Sequence, residues 1–350
     1  MKAFSLISDS FYTKKEQYSF IERLFVSLIR DERDLPFVKL TAVILLTMIP
    51  LGIFLYVPGI PTWLWWMVAT VYFFLNNLYF KGPFGLMLHC TCHIKLYKFK
   101  YDKLNLILPW FVGLFFGQTP ETYFSHHIGM HHIENNLEED ESSTMSYQRD
   151  SFGDFMKYFG SFMYRGLVDV SMYFSRKKRE KLMVKIIRGE VLYFIMCVVL
   201  CMINWPATVV VFILPLVISR FIMMLGNWTQ HSFIDAADPG NHYKNSITCI
   251  NTKYNKKCWN DGYHISHHVK PTMHWTEHPN HFLDNLPKYT ENKSIVFEGI
   301  GFLEVFIFLM RKRYDKLEHY FVNIDNQYAS GEEVITLMKY RTKKIEDSVQ

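Results

Sequence analysis

The sequence predicts an all-α integral membrane protein. Four transmembrane helices, paired in two hairpins, are capped by a helical cytosolic domain. Three observations carry this expectation. Residues 41–80 contain no charged side chain, and neither do residues 191–219. Each stretch comfortably exceeds the ~20 residues that cross a bilayer as a helix, and the first is twice that length. Beside the apolar stretches, four short segments place polar residues three or four positions apart. Such residues share one helix face.

Taken in order, residues 1–37 form a cytosolic N-terminal segment with an amphipathic helix over 13–35. The membrane domain follows over 38–285. Its first two spans, about 38–57 and 62–80, are separated by Pro58-Gly-Ile-Pro61, because proline and glycine end helices. Trp63, Trp65 and Trp66 fall just past that turn, where an aromatic belt is expected. Residues 104–117 are apolar but short, which suits a re-entrant or interfacial segment. Residues 151–188 read as helical and carry the basic run 176–181. That run is read as a solvated, lipid-facing edge, with a dock for an acidic electron donor such as cytochrome b5 as the sharper alternative. Spans three and four, about 189–203 and 206–226, are separated by Asn204-Trp205-Pro206. Residues 286–350 form a cytosolic helical tail. In it, 296–310 is apolar apart from Glu304, and Ser330-Gly-Glu-Glu333 is a capping box opening a last helix to about 345.

Lysine and arginine populate both ends of the chain and both large polar regions, and the hairpin turns have none. The positive-inside rule therefore puts both termini in the cytosol of a multi-pass protein. No cleavable signal peptide is expected, since the first apolar span begins only near residue 38. The endoplasmic reticulum membrane is the expected location in a eukaryote. Six cysteines form no CxxC, which fits a reducing compartment. The N-x-S/T matches at Asn227 and Asn292 fall on the cytosolic side and are expected to be unmodified. A net charge of +5 suits anionic inner-leaflet lipid. Nucleic acid is not an expected partner, because the basic residues border membrane spans.

The four spaced segments are His89-Cys-Thr-Cys-His93, His127-Ile-Gly-Met-His131-His132, Asn227-Trp-Thr-Gln-His231 and His264-Ile-Ser-His267-His268. Neutral imidazole is a borderline ligand suited to iron, zinc and copper. Nine imidazoles are too many for one ion and suit two. His132 is rotated away from His127 and His131 on an ideal helix, so a local bulge or helix end is needed there. His126 is the spare ligand or a supporting group. Asn227 is expected to act through a metal-bound water. Cys90 and Cys92 lie off the histidine face and read as packing residues. His242, His274, His278, His281 and His319 follow no paired spacing beside a span and read as surface or packing residues, with a supporting role behind the ligands as the alternative for His274 and His278, which are four apart. The acidic run 138–141 reads as a solvated loop, with a role beside the second histidine group, which it directly follows, as the alternative. Asp235, Asp261 and Glu134 are candidate acceptors behind the ligands.

At these segments the chain resembles the membrane fatty acid desaturase superfamily, over roughly residues 38–285. That family carries HxxxH or HxxxxH, then HxxHH or HxxxHH, an NxxxH, and a final HxxHH. The matching positions are His89/His93, His127/His131/His132, Asn227/His231 and His264/His267/His268. Acyl-CoA desaturases typically show HxxxxH and HxxHH in the first two boxes. The HxxxH and HxxxHH found here look more like alkane monooxygenases, whereas four spans match the acyl-CoA desaturases. The last box begins with His264 rather than Gln, and no His-Pro-Gly-Gly motif occurs, so a fused cytochrome b5 domain is not expected.

The resemblance implies a di-iron, oxygen-dependent desaturase of a fatty acyl chain. Its substrate would be an acyl lipid or acyl-CoA, and its electrons would come from an external cytochrome b5 or ferredoxin-type donor. Hydroxylation of an acyl chain or alkane at the same site is the second reading. A non-enzymatic metal transporter is the third, disfavoured because transporters place polar ligands near the bilayer midplane.

Overall fold

The structure, a computed structural model, describes residues 1–4 and 6–345. It is predominantly helical but not all-α: four strands of two to four residues occur among the described residues. The chain divides into two compact units. One comprises Tyr12–Ile128 and Phe174–Phe221, and the other Met1–Phe11, Gly129–Tyr173 and the chain from Ile222 onward.

The first of these is built from helical hairpins. Its amphipathic entry helix is Phe20–Leu28, shorter than the 13–35 expected. Ser19 fixes its start through a reciprocal capping box with Glu22. The helix Leu35–Phe54 has 20 residues, hence about 30 Å of length, which is the thickness of a hydrocarbon core. The chain reverses through Gly59, whose φ of +78° suits glycine. It returns as Thr62–Phe74, and Trp65 Nε1 donates to Leu55 O at 2.9 Å across the turn. That arm runs on through a π-helical segment, Leu75–Phe80, into Lys81–His93.

The second hairpin is one helical stretch folded on itself. Glu180–Thr208 has non-helical backbone at Asn204, φ −155° and ψ 92°. Beyond it the chain runs antiparallel: Tyr193 Oη donates to Phe212 O at 3.0 Å, and Arg220 Nη2 pairs with Glu190 Oε2 at 2.6 Å. In a straight helix Glu190 and Arg220 would stand about 45 Å apart. The helix begins at Glu180 rather than near 189, because the basic turn ahead of the apolar run is itself helical.

Among the described residues, two helices are long and apolar enough to cross a bilayer: Glu32–Phe54 and Glu180–Gln230. The sequence expects four such spans. The residues expected as spans three and four lie in the single stretch Glu180–Gln230, bent at Asn204. The span over 62–80 stands apart because tryptophans, tyrosines and the buried Asn76 and Asn77 dilute its apolar character.

The short apolar segment ends in helical turns at Leu108–Val112 and Gly113–Phe115. Helix ends leave carbonyls without intrahelical donors. Here Asn76 Nδ2 donates to Phe115 O at 2.9 Å, Lys81 Nζ to Phe116 O at 3.0 Å, and Tyr193 Oη to Leu114 O at 3.3 Å. Gly117 follows at φ +72°, where a Cβ would lie 2.2 Å from Leu216 N. The backbone leading to the second histidine box is thereby fixed.

The other unit is mixed. Ile247–Ile250 pairs in parallel with Ile295–Glu298, Ile247 opposite Ile295, and Lys2–Ala3 pairs with Val322–Asn323. The apolar stretch expected at 296–310 is therefore a strand followed by the helix Phe302–Met310. Glu304 interrupts it because its carboxylate accepts from Gly301 N at 3.1 Å, capping that helix. Phe233, Ile247, Phe297, Val305, Leu317 and Val334 form the core beneath. Residues 151–188 are helical as Phe152–Arg176, then break where Lys178 takes φ +55°. The last helix is Gly331–Arg341, shorter than expected; Ser330 caps it by accepting from Glu333 N, but the Glu333 carboxylate accepts from Ala329 N, so the expected reciprocal box is not closed.

Candidate metal centre

Within the mixed unit, four histidines converge. His131 closes a π-helical turn, His127–His131, which supplies the bulge that the spacing requires. His231 follows directly on the helix Leu214–Gln230, its N–H donating to Asn227 O at 3.1 Å. His264 and His268 stand one turn apart on His264–Val269. That helix is held from below. Cys249 N donates to Gly262 O at 2.7 Å, and Tyr263 Oη donates to the buried Asp9 at 2.7 Å. Gly262 is required, since a Cβ there would lie 2.4 Å from Cys249 O.

One ring nitrogen from each of His131, His231, His264 and His268 lies within 4.8 Å of the others, and all four residues are buried. Nε2 of His268 is 3.0 Å from that of His264, which is 3.3 Å from Nε2 of His231. Nitrogens bound to one ion at about 2.1 Å stand about 3.0–3.4 Å apart. The donor set therefore fits a metal ion without rearrangement.

Two of the outward nitrogens are anchored. His131 Nδ1 lies 2.7 Å from Asp140 Oδ2, and His231 Nδ1 lies 2.9 Å from Asn245 Oδ1 and 3.0 Å from Asn245 O. An Nδ1–H donated to these acceptors leaves a bare Nε2 lone pair facing inward, which is the ligand form. Burial, then the neighbouring His131, pushes the His231 pKa down to about 3. Burial, then His264, holds His268 well below its ordinary value. Both are neutral at physiological pH.

Asp140 corrects the sequence expectation for the acidic run. Glu138, Glu139 and Glu141 are exposed, but Asp140 is buried. Asn135 and Asn136, both at positive φ, fold the chain back so that Asp140 also accepts from Asn136 N at 3.1 Å and Ser142 N at 2.8 Å. Of the expected acceptors, Glu134 accepts from Tyr173 Oη, Asp261 from Tyr254 Oη, and Asp235 from Arg341. Nothing local in the sequence distinguishes Asp140 from its neighbours. Its only signal is its position eight residues past the second box.

His132 and His267 pair in the same unit, Nε2 to Nε2 at 2.9 Å. Asn227 Nδ2 is engaged with Ser142 O at 2.9 Å and Tyr158 Oη at 2.7 Å. His242, read as a surface residue, is half-buried; its ring centroid is 5.7 Å from that of His268 and its Nδ1 is 3.0 Å from Asn135 Oδ1. His278 is buried, its centroid 6.1 Å from that of His267. His281 Nδ1 lies 3.1 Å from Ser266 Oγ, and His319 is exposed.

In the hairpin unit, His89, His93 and His127 form a second group. His127 Nε2 is 3.2 Å from His93 Nε2, and the His89 and His127 rings are 4.5 Å apart. Tyr123 stacks on His127 at 5.4 Å. His126 is half-buried at the end of Thr122–His126. Cys92 donates to His89 O within its own helix.

A fatty acid desaturase family model matches residues 66–298, two-thirds of the chain, and the protein belongs to that family. It is thus an oxidoreductase of lipid metabolism, and its apolar helices make it membrane-associated. No curated protein and no solved structure matches it.

Proposed function

We propose that the chain is a multi-pass membrane desaturase. It uses two iron ions, oxygen and an external electron donor to place a double bond in a fatty acyl chain. The ligands are the nine histidines His89, His93, His127, His131, His132, His231, His264, His267 and His268. The observation that carries this reading is the buried convergence of His131, His231, His264 and His268, in which Nδ1 of His131 and of His231 is anchored.

Iron bound there supplies oxygen activation and hydrogen abstraction from an unactivated methylene. The protein's residues do the rest. Asp140 and Asn245 hold the protons of His131 and His231 on Nδ1 and so fix both rings. Asn227, its amide nitrogen engaged, offers Oδ1 to a metal-bound water. Burial of the four rings excludes bulk water. The acyl tail lies among the spans with its head at the cytosolic surface, and a cytochrome b5 or ferredoxin-type protein delivers the electrons. Both termini are cytosolic, the spans cross the bilayer four times, and the endoplasmic reticulum is the eukaryotic location.

Hydroxylation at the same site is the second reading, favoured by the HxxxH and HxxxHH spacings. Iron analysis of the purified full-length protein tests the shared premise. About two iron ions per chain are expected, falling in His264→Ala. Zinc alone, or no metal after purification with iron supplied, would refute it.

A further inference from the structure

The chain between the strand Ile247–Ile250 and the helix His264–Val269 turns on unusual backbone: Asn251, Trp259 and Asn260 all stand at positive φ. Its polar groups need acceptors that no ladder supplies. One side chain from far away in sequence gathers them. Asp9 is buried, and its carboxylate accepts from Asn251 N at 2.6 Å, Thr252 N at 3.1 Å, Asn255 Nδ2 at 2.9 Å and Tyr263 Oη at 2.7 Å. Among the described residues no lysine, arginine or histidine pairs with it. Neutral donors alone hold this carboxylate out of water, so its burial is tolerated only while the loop keeps this shape. Asn255 extends the network, its Oδ1 accepting from Gly262 N at 2.9 Å and its Nδ2 donating also to Cys249 O at 2.9 Å.

Asp9 is itself delivered to this place. Lys2–Ala3 pairs with Val322–Asn323, the Phe4 ring lies 5.9 Å from that of Phe282, and Ser8 N donates to Asn251 Oδ1 at 2.6 Å. Just beyond, Asn260 Nδ2 donates to Ser10 O at 3.0 Å. From Asp9 to the histidines the path is short. Tyr263 is fully buried and immediately precedes His264, and its carbonyl accepts from His267 N at 3.0 Å in the first turn of their helix. Fixing the Tyr263 hydroxyl therefore fixes where the helix bearing His264 and His268 begins.

We propose that Asp9 is a positioning residue of the metal centre. Through Tyr263 it holds His264 and His268 where they converge on His131 and His231, so residues 2–9 belong to the centre and set its affinity for metal. This rests on the iron-binding reading given above.

The test uses full-length protein, stripped of metal in detergent and titrated anaerobically with iron(II) against a chelator of known affinity. Mössbauer spectra of the loaded samples are recorded alongside. All readings are taken below the thermal unfolding of every metal-free variant, so global unfolding does not enter. D9A is expected to bind iron at least about tenfold more weakly than wild type, with an altered ferrous quadrupole splitting, and Y263F to fall between them. In D9A the Tyr263 hydroxyl has lost its acceptor, so D9A/Y263F is expected to bind no more weakly than D9A. Wild-type affinity and spectrum in D9A overturn the inference. Losses that add in the double variant also overturn it, because Asp9 would then support the fold without acting through Tyr263. Where D9A fails to fold, Y263F decides alone, and an unchanged affinity and spectrum overturn the inference. Wild type that takes up no iron overturns the proposed function itself, an outcome distinct from loaded wild type with an equal D9A.

Discussion

His131 and Asp140 are buried together, Nδ1 to Oδ2 at 2.7 Å, nine residues apart across a turn built on two left-handed asparagines. In the proposed centre, Asp140 is the carboxylate that holds the His131 tautomer. Asp140→Asn keeps the shape but can present an amide N–H to His131. Losing such a partner typically costs about 10–100-fold in metal affinity or activity. Iron content and turnover should both fall in D140N, with the circular dichroism spectrum unchanged.

Glu190 and Arg220 pair inside the second hairpin, and Thr119 also donates to Glu190, at 2.6 Å. Arg220→Met leaves a buried carboxylate without its counter-charge, at a cost of about 3–5 kcal/mol. Glu190→Gln with Arg220→Met should recover much of that. Thermal unfolding of the purified proteins in detergent reads the difference.

Gly189 lies against the segment that leads into the second box, and a Cβ on it would stand 1.7 Å from Pro120 O. Gly189→Ala should lower the yield of folded protein sharply. Gly160, with open space around its Cβ position, should tolerate alanine at close to wild-type yield. Size-exclusion chromatography of the two variants side by side checks this.

The proposed four crossings would place the turn at Pro58–Pro61 on the far side from Lys178. An epitope inserted at Gly59 should be protected from antibody in intact vesicles and exposed after permeabilisation. Equal exposure of both sites before permeabilisation contradicts the four-span reading.

Much of the site was legible because it rests on local spacing. His89 with His93, and His264 with His268, need only one helical turn. The bulge required at His132 appears as the π-helical turn His127–His131. What pairs distant residues was not legible. Asp140 looks like its exposed neighbours until the turn buries it. Asn245 reaches His231 only because of the chain's return after Ser232. The parallel pairing of Ile247–Ile250 with Ile295–Glu298 joins segments more than forty residues apart. Two candidate spans stand where the hairpin turns led to an expectation of four, because residues 62–80 are rich in Trp, Tyr and Asn and residues 180–230 form one stretch bent at Asn204.

The lipid product reports most directly on the proposed chemistry. Lipids of cells expressing the wild type beside His268→Ala and His319→Ala, analysed by mass spectrometry with double-bond location, should show a new unsaturated acyl chain with the wild type and His319→Ala. His268→Ala should reach the membrane and make none. New hydroxylated chains in place of alkenes, or full alkene production by His268→Ala, would contradict it.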